Sequence, residues 1–369
     1  MTTNEFLSDY LPAFRQKLEL LERGVHPEAP PDSDQFLEEL TQTINDSLHV
    51  CTELEETLRG EGPAVVKDLQ KQYRDAIWPV VNKSWVMDRS ITKPRGYPGD
   101  YQLLTTIYDG VPKSTGFGGY LDRFLLNLTL GRAVCARMWA ARRFLMNELA
   151  RRQGQIAILN VASGACREYL GGFEPSNQRE VTLTCVDADQ EALDFAQSQT
   201  DGPLSRSDIT SRFIKHNALR MVSAASNVRR FGASDIIYSI GLCDYIPDEY
   251  LIPLMQGLRE SLKPGGVVYI AFKDTLLYDK AEYQWLLDWY FFPRTEEDCL
   301  RVFATAGYDV SQIEVTRDSI GVIMNFLCRD KVADAIRVDQ PEQLPTAQHV
   351  DPPSQPVGDV AANHIASSG

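Results

Sequence analysis

Between about residue 151 and residue 332 the chain keeps switching between short apolar runs and stretches whose apolar residues fall at helical spacing. The runs are IAILNVA, VTLTCVD, RFIKHNA, ASDIIYSIG and GGVVYIAF. Strands buried on both faces read as near-continuous apolar runs, and two parallel neighbours need a crossover that is usually a helix. The alternation therefore dictates an α/β fold, a mostly parallel Rossmann-like sheet with helices on both faces. The segment QIEVTRDSIGVIMNFLCRD predicts a closing pair of strands, and EYQWLLDWYFFPRTEEDCLRVFATAGYDV predicts helix around a proline break.

The first 150 residues have a different texture, and the pattern there predicts an N-terminal helical domain. One helix is expected over residues 3–24, a second from Gln35 to Leu58, and a third from Ala64 to Trp78, with Pro79 stopping or kinking it. SITKPRGYPGDYQLLTTIYDG reads as loop and then helix, and YLDRFLLNLTLGRAVCARMWAARRFLMNELARR as one or two long amphipathic helices. The expected division is a helical domain over 1–150, a sheet domain over 151–332 and a disordered tail over 333–369, rich in Pro, Ala, Ser and Gln.

Charge narrows the partners. The net charge of -14 repels nucleic-acid backbones and anionic lipid, so neither is expected as a partner. The seven cysteines include no CxxC pair and have no histidines beside them, so no metal site is expected, and they read as reduced thiols. MTTNEFLSDYLPAF lacks the pattern of a signal peptide and no apolar run reaches spanning length, so the expectation is a cytoplasmic protein without a membrane span.

The loop NVASGACRE after the first strand is built from small residues, with one glycine, Gly164, and with Ala162, Ser163 and Ala165 around it. Such a loop permits close approach of a ligand to backbone, although a plain turn between strand and helix has the same composition. Asp187 ends the second strand roughly 20 residues later, where a carboxylate can accept hydrogen bonds from ribose hydroxyls. A helix cap is the other use of an acidic residue there, and Asp189 is placed for it. Asn217 follows the third strand and can meet an adenine edge.

Taken in order, these segments and the LKPGG stretch resemble the class I S-adenosylmethionine-dependent methyltransferases over about residues 150–330. The resemblance implies a methyltransferase sheet, S-adenosylmethionine as cofactor, and Ala162, Ser163, Gly164, Asp187, Asn217 and Gly241 as the residues that hold it. The sequence departs from the family pattern at Asn160, where an acidic residue is common, and at Ala162 and Cys166, where glycines are common. A cofactor without phosphate tolerates a glycine-poor loop better than a dinucleotide does. A narrower resemblance, carried by KPRGYPGDY, GLCDYIPDE and WLLDWYFFPRTEEDCLRVFATAGY, is to bacterial proteins associated with making 3-hydroxypalmitic acid methyl ester. It implies a small-molecule acceptor, with the carboxylate of a hydroxy fatty acid among the candidates.

Methyl transfer from a sulfonium is an in-line displacement, for which a protein mainly supplies alignment and exclusion of water. Asp244 and Tyr245 at the end of the fourth strand, with Tyr97 and Asp100 in PRGYPGDY, are the candidates for catalysis. Arg95, Trp285, Trp289 and Tyr290 are the candidates for binding the acceptor. Each has a plainer role: Asp100 as a helix cap, the two tryptophans as core, and His216, a further candidate base, as a structural histidine. PRGYPGDY is stiffened by Pro94 and Pro98 and is expected to fold over the carboxyl edge of the sheet near Asp244 and Tyr245. A homodimer fits this picture, and two other functions remain open, a non-catalytic protein of the same fold and an amine or protein methyltransferase. The tail has too little apolar surface to offset its ordering entropy. Truncation after Arg337 is therefore expected to leave the melting temperature nearly unchanged, as differential scanning calorimetry would show.

Overall fold

The computed structural model describes residues 1–173, 179–206 and 208–330, and the tail expected from residue 333 onward lies outside them. Residues Met1–Val332 make one compact unit, so the helical region and the sheet pack as a single body.

The chain begins with α1 (Thr3–Glu5), a π-helical turn and α2 (Leu11–Arg23). Next come α3 (Asp34–Thr57), α4 (Pro63–Val81), α5 (Trp85–Thr92), α6 (Tyr101–Asp109), α7 (Gly116–Asn127) and α8 (Thr129–Ala150). Local chemistry starts them: Ser33, Ser84 and Asp100 each accept a backbone N–H of the first turn, satisfying donors that a helix leaves open. Along α3 the buried residues Leu40, Ile44, Leu48, Cys51 and Leu54 follow at steps of four and three, which puts them on one face. Leu128, with extended backbone, splits the long amphipathic stretch into α7 and α8.

Two expectations change here. Pro79 does not stop α4, which runs on to Val81, because Ile77, Val80 and Val81 are all buried and hold the last turn in place. The stretch after α12 (Lys280–Gln284) is not helical until α13 (Glu296–Thr305). Asp288 takes a left-handed backbone with φ of 51°, and its carboxylate is drawn to Arg74 and Lys93, while Phe291 packs among Tyr245, Tyr283 and Trp289. Ion pairs and ring packing thus override the helical spacing of Trp285 and Trp289.

The sheet has seven strands in the order β3-β2-β1-β4-β5-β7-β6. They are β1 (Gly154–Val161), β2 (Arg179–Asp187), β3 (Ile209–Lys215), β4 (Ser234–Ser239), β5 (Leu262–Lys273), β6 (Ile313–Arg317) and β7 (Ile323–Arg329). Only β7 runs against its neighbours, pairing antiparallel with β5 and β6. LKPGG, read from sequence as a turn before the fifth strand, forms the first residues of β5, where the register against β4 shifts between Ser234 and Ile236. Helices α9 (Gln190–Thr200), α10 (Ala224–Phe231) and α11 (Asp248–Arg259) connect the strands.

Separate apolar clusters cover the sheet, and a third joins the helical region to it. In the last, Trp285 is 0% exposed and meets Phe6 and Tyr73 edge-on, with ring centroids 5.9 Å and 5.6 Å away. Trp285→Ala removes the largest fully buried side chain from this cluster. The expected cost is about 3–5 kcal/mol of unfolding free energy, to be measured by urea titration.

Candidate functional site

Strand order sets the place. The sheet is built outward in both directions from β1 and β4, so the loops leaving their carboxyl ends diverge and open a crevice. On one side lies the loop of residues 162–166, on the other residues 240–245.

The first loop is held in an unusual backbone. Ala162, Gly164 and Cys166 all have positive φ, at 55°, 53° and 52°. Two of these, Ala162 and Cys166, carry side chains, so the loop keeps a glycine-like path with side chains in place. Such residues cost strain that surrounding contacts must hold. The Cys166 thiol is buried against Asn160 and the sulfur of Cys185, at 3.8 Å and 3.6 Å. The Ser163 amide donates to Val186 at 3.0 Å, and the Gly164 amide donates to the Asp187 carboxylate at 2.8 Å. At Gly164 the space a Cβ would enter is open, with no heavy atom within 4 Å.

Asp187 also accepts the Asp189 amide at 2.9 Å. Burial pushes its carboxyl above the usual range, and the Asp189 and Gly164 amides pull against that shift. It lines a cavity of about 680 Å³ together with Ala162, Gly164, Asn217 and Gly241. Five of the six residues expected to hold a cofactor thus come together. The sixth, Ser163, is beside them but does not line the space, and its hydroxyl is buried without a hydrogen-bond partner. Asn217 starts a short 3₁₀ turn, accepting the Leu219 amide at 2.9 Å. His216 also lines the cavity, its pKa lowered by burial and by Arg230 and Arg220.

The PRGYPGDY turn lines the cavity from the helical side through Arg95, Tyr97, Pro98 and Gly99. Arg95 grips both Asp189 oxygens and also reaches Glu191, and the Tyr97 hydroxyl donates to Asp189 at 3.1 Å. Burial alone raises the Asp189 carboxyl, but the hydrogen bonds from Arg95 and Tyr97 outweigh it and hold the group below its ordinary value. Asp189 caps α9 as well, through the Glu191 amide at 3.0 Å. Arg95 is therefore a latch to the sheet in this conformation.

Of the other candidates, Tyr245 and Trp289 are joined, with the indole N–H donating to the tyrosine oxygen at 2.8 Å. Tyr245 lines both the large cavity and a closed pocket of about 50 Å³ behind it, and Trp289 lines the closed pocket. Asp100 is buried as the cap of α6 and accepts Arg89 at 2.9 Å, so its carboxylate is already engaged. Asp244 is likewise buried, bonded to the Lys273 amide at 3.0 Å and to its ammonium. Trp285 and Tyr290 line neither space: the first is core, and the second donates to Gln70 at 2.7 Å on α4. Residues not singled out from sequence are Asp189 as the lid's anchor and Arg137, which lines the closed pocket from α8. The signal for Arg137 was a charge within the buried stripe Ala133, Val134, Met138 and Ala141.

Gly99 pins the lid down. Its φ is +69°, and a Cβ there would come within 2.7 Å of the Trp289 ring and 3.2 Å of the Tyr245 hydroxyl. Gly99→Ala is therefore expected to lower the melting temperature and to raise proteolysis near residue 99. Equal proteolysis rates for the two proteins would show that the turn accommodates the methyl group.

Among the described residues no helix is long and apolar enough to cross a membrane, and no three metal-ligating side chains cluster. No family model and no curated protein matches the chain. Among solved structures it is similar to a possible exported protein from Bordetella parapertussis, with 18% identity, 72% of this chain and 87% of that chain covered, and a TM-score of 0.51. It is also similar to magnesium protoporphyrin IX methyltransferase from Synechocystis with 10% identity, 55% and 87% coverage and a TM-score of 0.41. A third is the apo form of the S-adenosylmethionine-dependent methyltransferase SibL, with 13% identity, 72% and 77% coverage and a TM-score of 0.42. The strand order, with β7 alone antiparallel, is that of the class I S-adenosylmethionine-dependent methyltransferase fold, here carrying an N-terminal helical region.

Proposed function

We propose that this chain transfers the methyl group of S-adenosylmethionine to a small molecule. The observation that carries the reading is the cavity at the switch point, with Asp187 at its β2 edge and the open space over Gly164 at its β1 edge. The residues fit this cofactor better than a dinucleotide. After β1 the described chain enters a 3₁₀ turn, Arg167–Tyr169, and no α-helix intervenes before β2 among the described residues. A pyrophosphate would find no helix N-terminus there.

The cofactor would supply an electrophilic methyl on a sulfonium. Asp187 would accept ribose hydroxyls, Asn217 would meet the base, and Ala162, Ser163, Gly164 and Gly241 would leave room along the path. Tyr97 and Tyr245 face the cavity and would position the acceptor. Arg95 holds the lid, Asp100 fixes the turn by capping α6, Asp244 holds Lys273, and Trp289 orients Tyr245. The finer reading, the carboxylate of a hydroxy fatty acid as acceptor, is supported by the sequence resemblance; a carboxylate is nucleophilic at neutral pH and needs placement rather than a base. A cytoplasmic setting accords with seven free thiols.

Isothermal titration of the full chain with S-adenosylmethionine tests the reading. Saturable binding is expected, and Asp187→Ala should weaken it about 10- to 100-fold, the equivalent of a charged hydrogen bond worth about 1.5–3 kcal/mol. Folded protein that binds none of it would be a non-catalytic relative in fold. A labelled-donor assay against acids, amines and protein extract then sorts the acceptor class.

A further inference from the structure

Three arginines are buried among the described residues, Arg74, Arg137 and Arg294. Arg74 pairs with Asp288 and Arg294 with Asp248. Arg137, 3% exposed, has no carboxylate oxygen within 4.0 Å among the described residues, its Nε has no hydrogen-bond partner, and its polar neighbour is the Tyr108 phenol. A buried cation without a counter-ion is costly.

The local charges give it no direct ion pair among the described residues. Lys273 lines the same closed pocket but is committed to Asp244. The acidic group whose field Arg137 shares is Glu168, whose carboxylate is engaged by Tyr238 at 2.6 Å and Asn160 at 3.0 Å and forms no ion pair with Arg137 within 4.0 Å. The rest of the pocket wall is largely apolar, with Leu103, Leu125, Val134 and Leu287 among its residues. It shares Gly99, Leu104, Gly241 and Tyr245 with the large cavity. Arg137 lies at that junction, for a Cβ on Gly241 would stand 3.5 Å from its Nη2.

We propose that Arg137 anchors the carboxylate of the methyl acceptor, and that the acceptor is a compact apolar acid whose short tail enters the closed pocket. This rests on the methyltransferase reading. About 50 Å³ admits only a few heavy atoms, so the long chain of a hydroxy fatty acid does not fit this conformation, and the proposal keeps the carboxylate of that finer reading but replaces its long tail with a short one. In the transfer one carboxylate oxygen bonds the methyl carbon, the carbon–sulfur bond breaks, and its electron pair stays on sulfur. The sulfonium becomes a neutral thioether and the acid a neutral ester, with no proton moved. The ester has no charge for Arg137 to hold, which favours its release.

The test uses the full chain, with S-adenosylhomocysteine present, and isobutyrate, isobutyramide and octanoate as probes in calorimetric titrations. Isobutyrate is expected to bind saturably, the amide at least about tenfold more weakly, and Arg137→Met to weaken isobutyrate about 10- to 100-fold while leaving S-adenosylhomocysteine affinity unchanged. Arg137→Lys should restore part of the affinity. Because the guanidinium has no carboxylate partner among the described residues, Arg137→Met should melt no lower than the parent, and a large fall would make Arg137 a structural residue and overturn the proposal. Equal binding of acid and amide, or no saturable binding of isobutyrate, would overturn it too. Octanoate binding more tightly than isobutyrate would overturn the compact-acid assignment. Arg137-dependent binding of isobutyrate by a chain that ignores S-adenosylhomocysteine would keep the anion site and discard the methyltransferase reading.

Discussion

Two carboxylates at the carboxyl end of β2 organise the site. Asp187 accepts backbone amides and so fixes the loop after β1, while Asp189, two residues on, accepts Arg95 and Tyr97 and so fixes the lid. The first interaction lies within the sheet domain and the second ties the helical region to it. Both hang from one strand end, which is itself set by pairing β2 between β1 and β3. The position of the PRGYPGDY turn beside the cavity is thereby referred to the sheet itself. Asp187 is hydrogen-bonded to amides and raised by burial, so a ligand hydroxyl would add a donor to a group with acceptor capacity left.

Around this edge the protein uses buried charge for orientation more than for stability. The pairs Asp244–Lys273 and Arg89–Asp100 each take two ions out of water, and desolvation offsets much of their attraction. What they secure is direction: Lys273 holds the turn after β4, with its ammonium 4.3 Å from the Phe291 ring centroid, and Asp100 holds the start of α6 where the lid ends. Asp244 and Asp100 looked like reactive groups from sequence because acidic residues at strand ends and turns serve both purposes. Only the partner from the neighbouring element, 29 residues away for Lys273 and 11 for Arg89, separates the two uses.

The sheet was legible because its cause is local: apolar runs, helical spacers and the closing strand pair are written along the chain, and the observed strands follow them. The PRGYPGDY turn does reach Tyr245 as expected, with Gly99 packed against it, but its polar anchor is Asp189, which the sequence offered only as a helix cap. The segment after α12 was not. Its tryptophans at helical spacing mimic a helix face, but Asp288 is drawn out by Arg74 and Lys93 from elements more than 190 residues away, a constraint with no local trace. For the same reason Trp285 became core and Tyr290 turned to Gln70. Arg137 was hidden differently: an arginine alongside Arg132, Arg142 and Arg143 on an amphipathic helix ordinarily reads as part of its solvent face, and only the structure shows that it is buried and that no carboxylate among the described residues meets it.

The glycine-poor loop is the point where local rule and fold disagree. Backbone at Ala162 and Cys166 takes the left-handed region that glycine enters freely. Contacts that glycine could not make compensate, above all the buried thiol of Cys166 against Asn160 and Cys185. Asn160 in turn donates to Glu168, which the Tyr238 hydroxyl also reaches. Asn160, near the end of β1, is thus spent on a buried polar network beneath the loop. Removing glycine there exchanges backbone freedom for a side-chain support, and the strain is carried by packing that reaches back into β2 and β4.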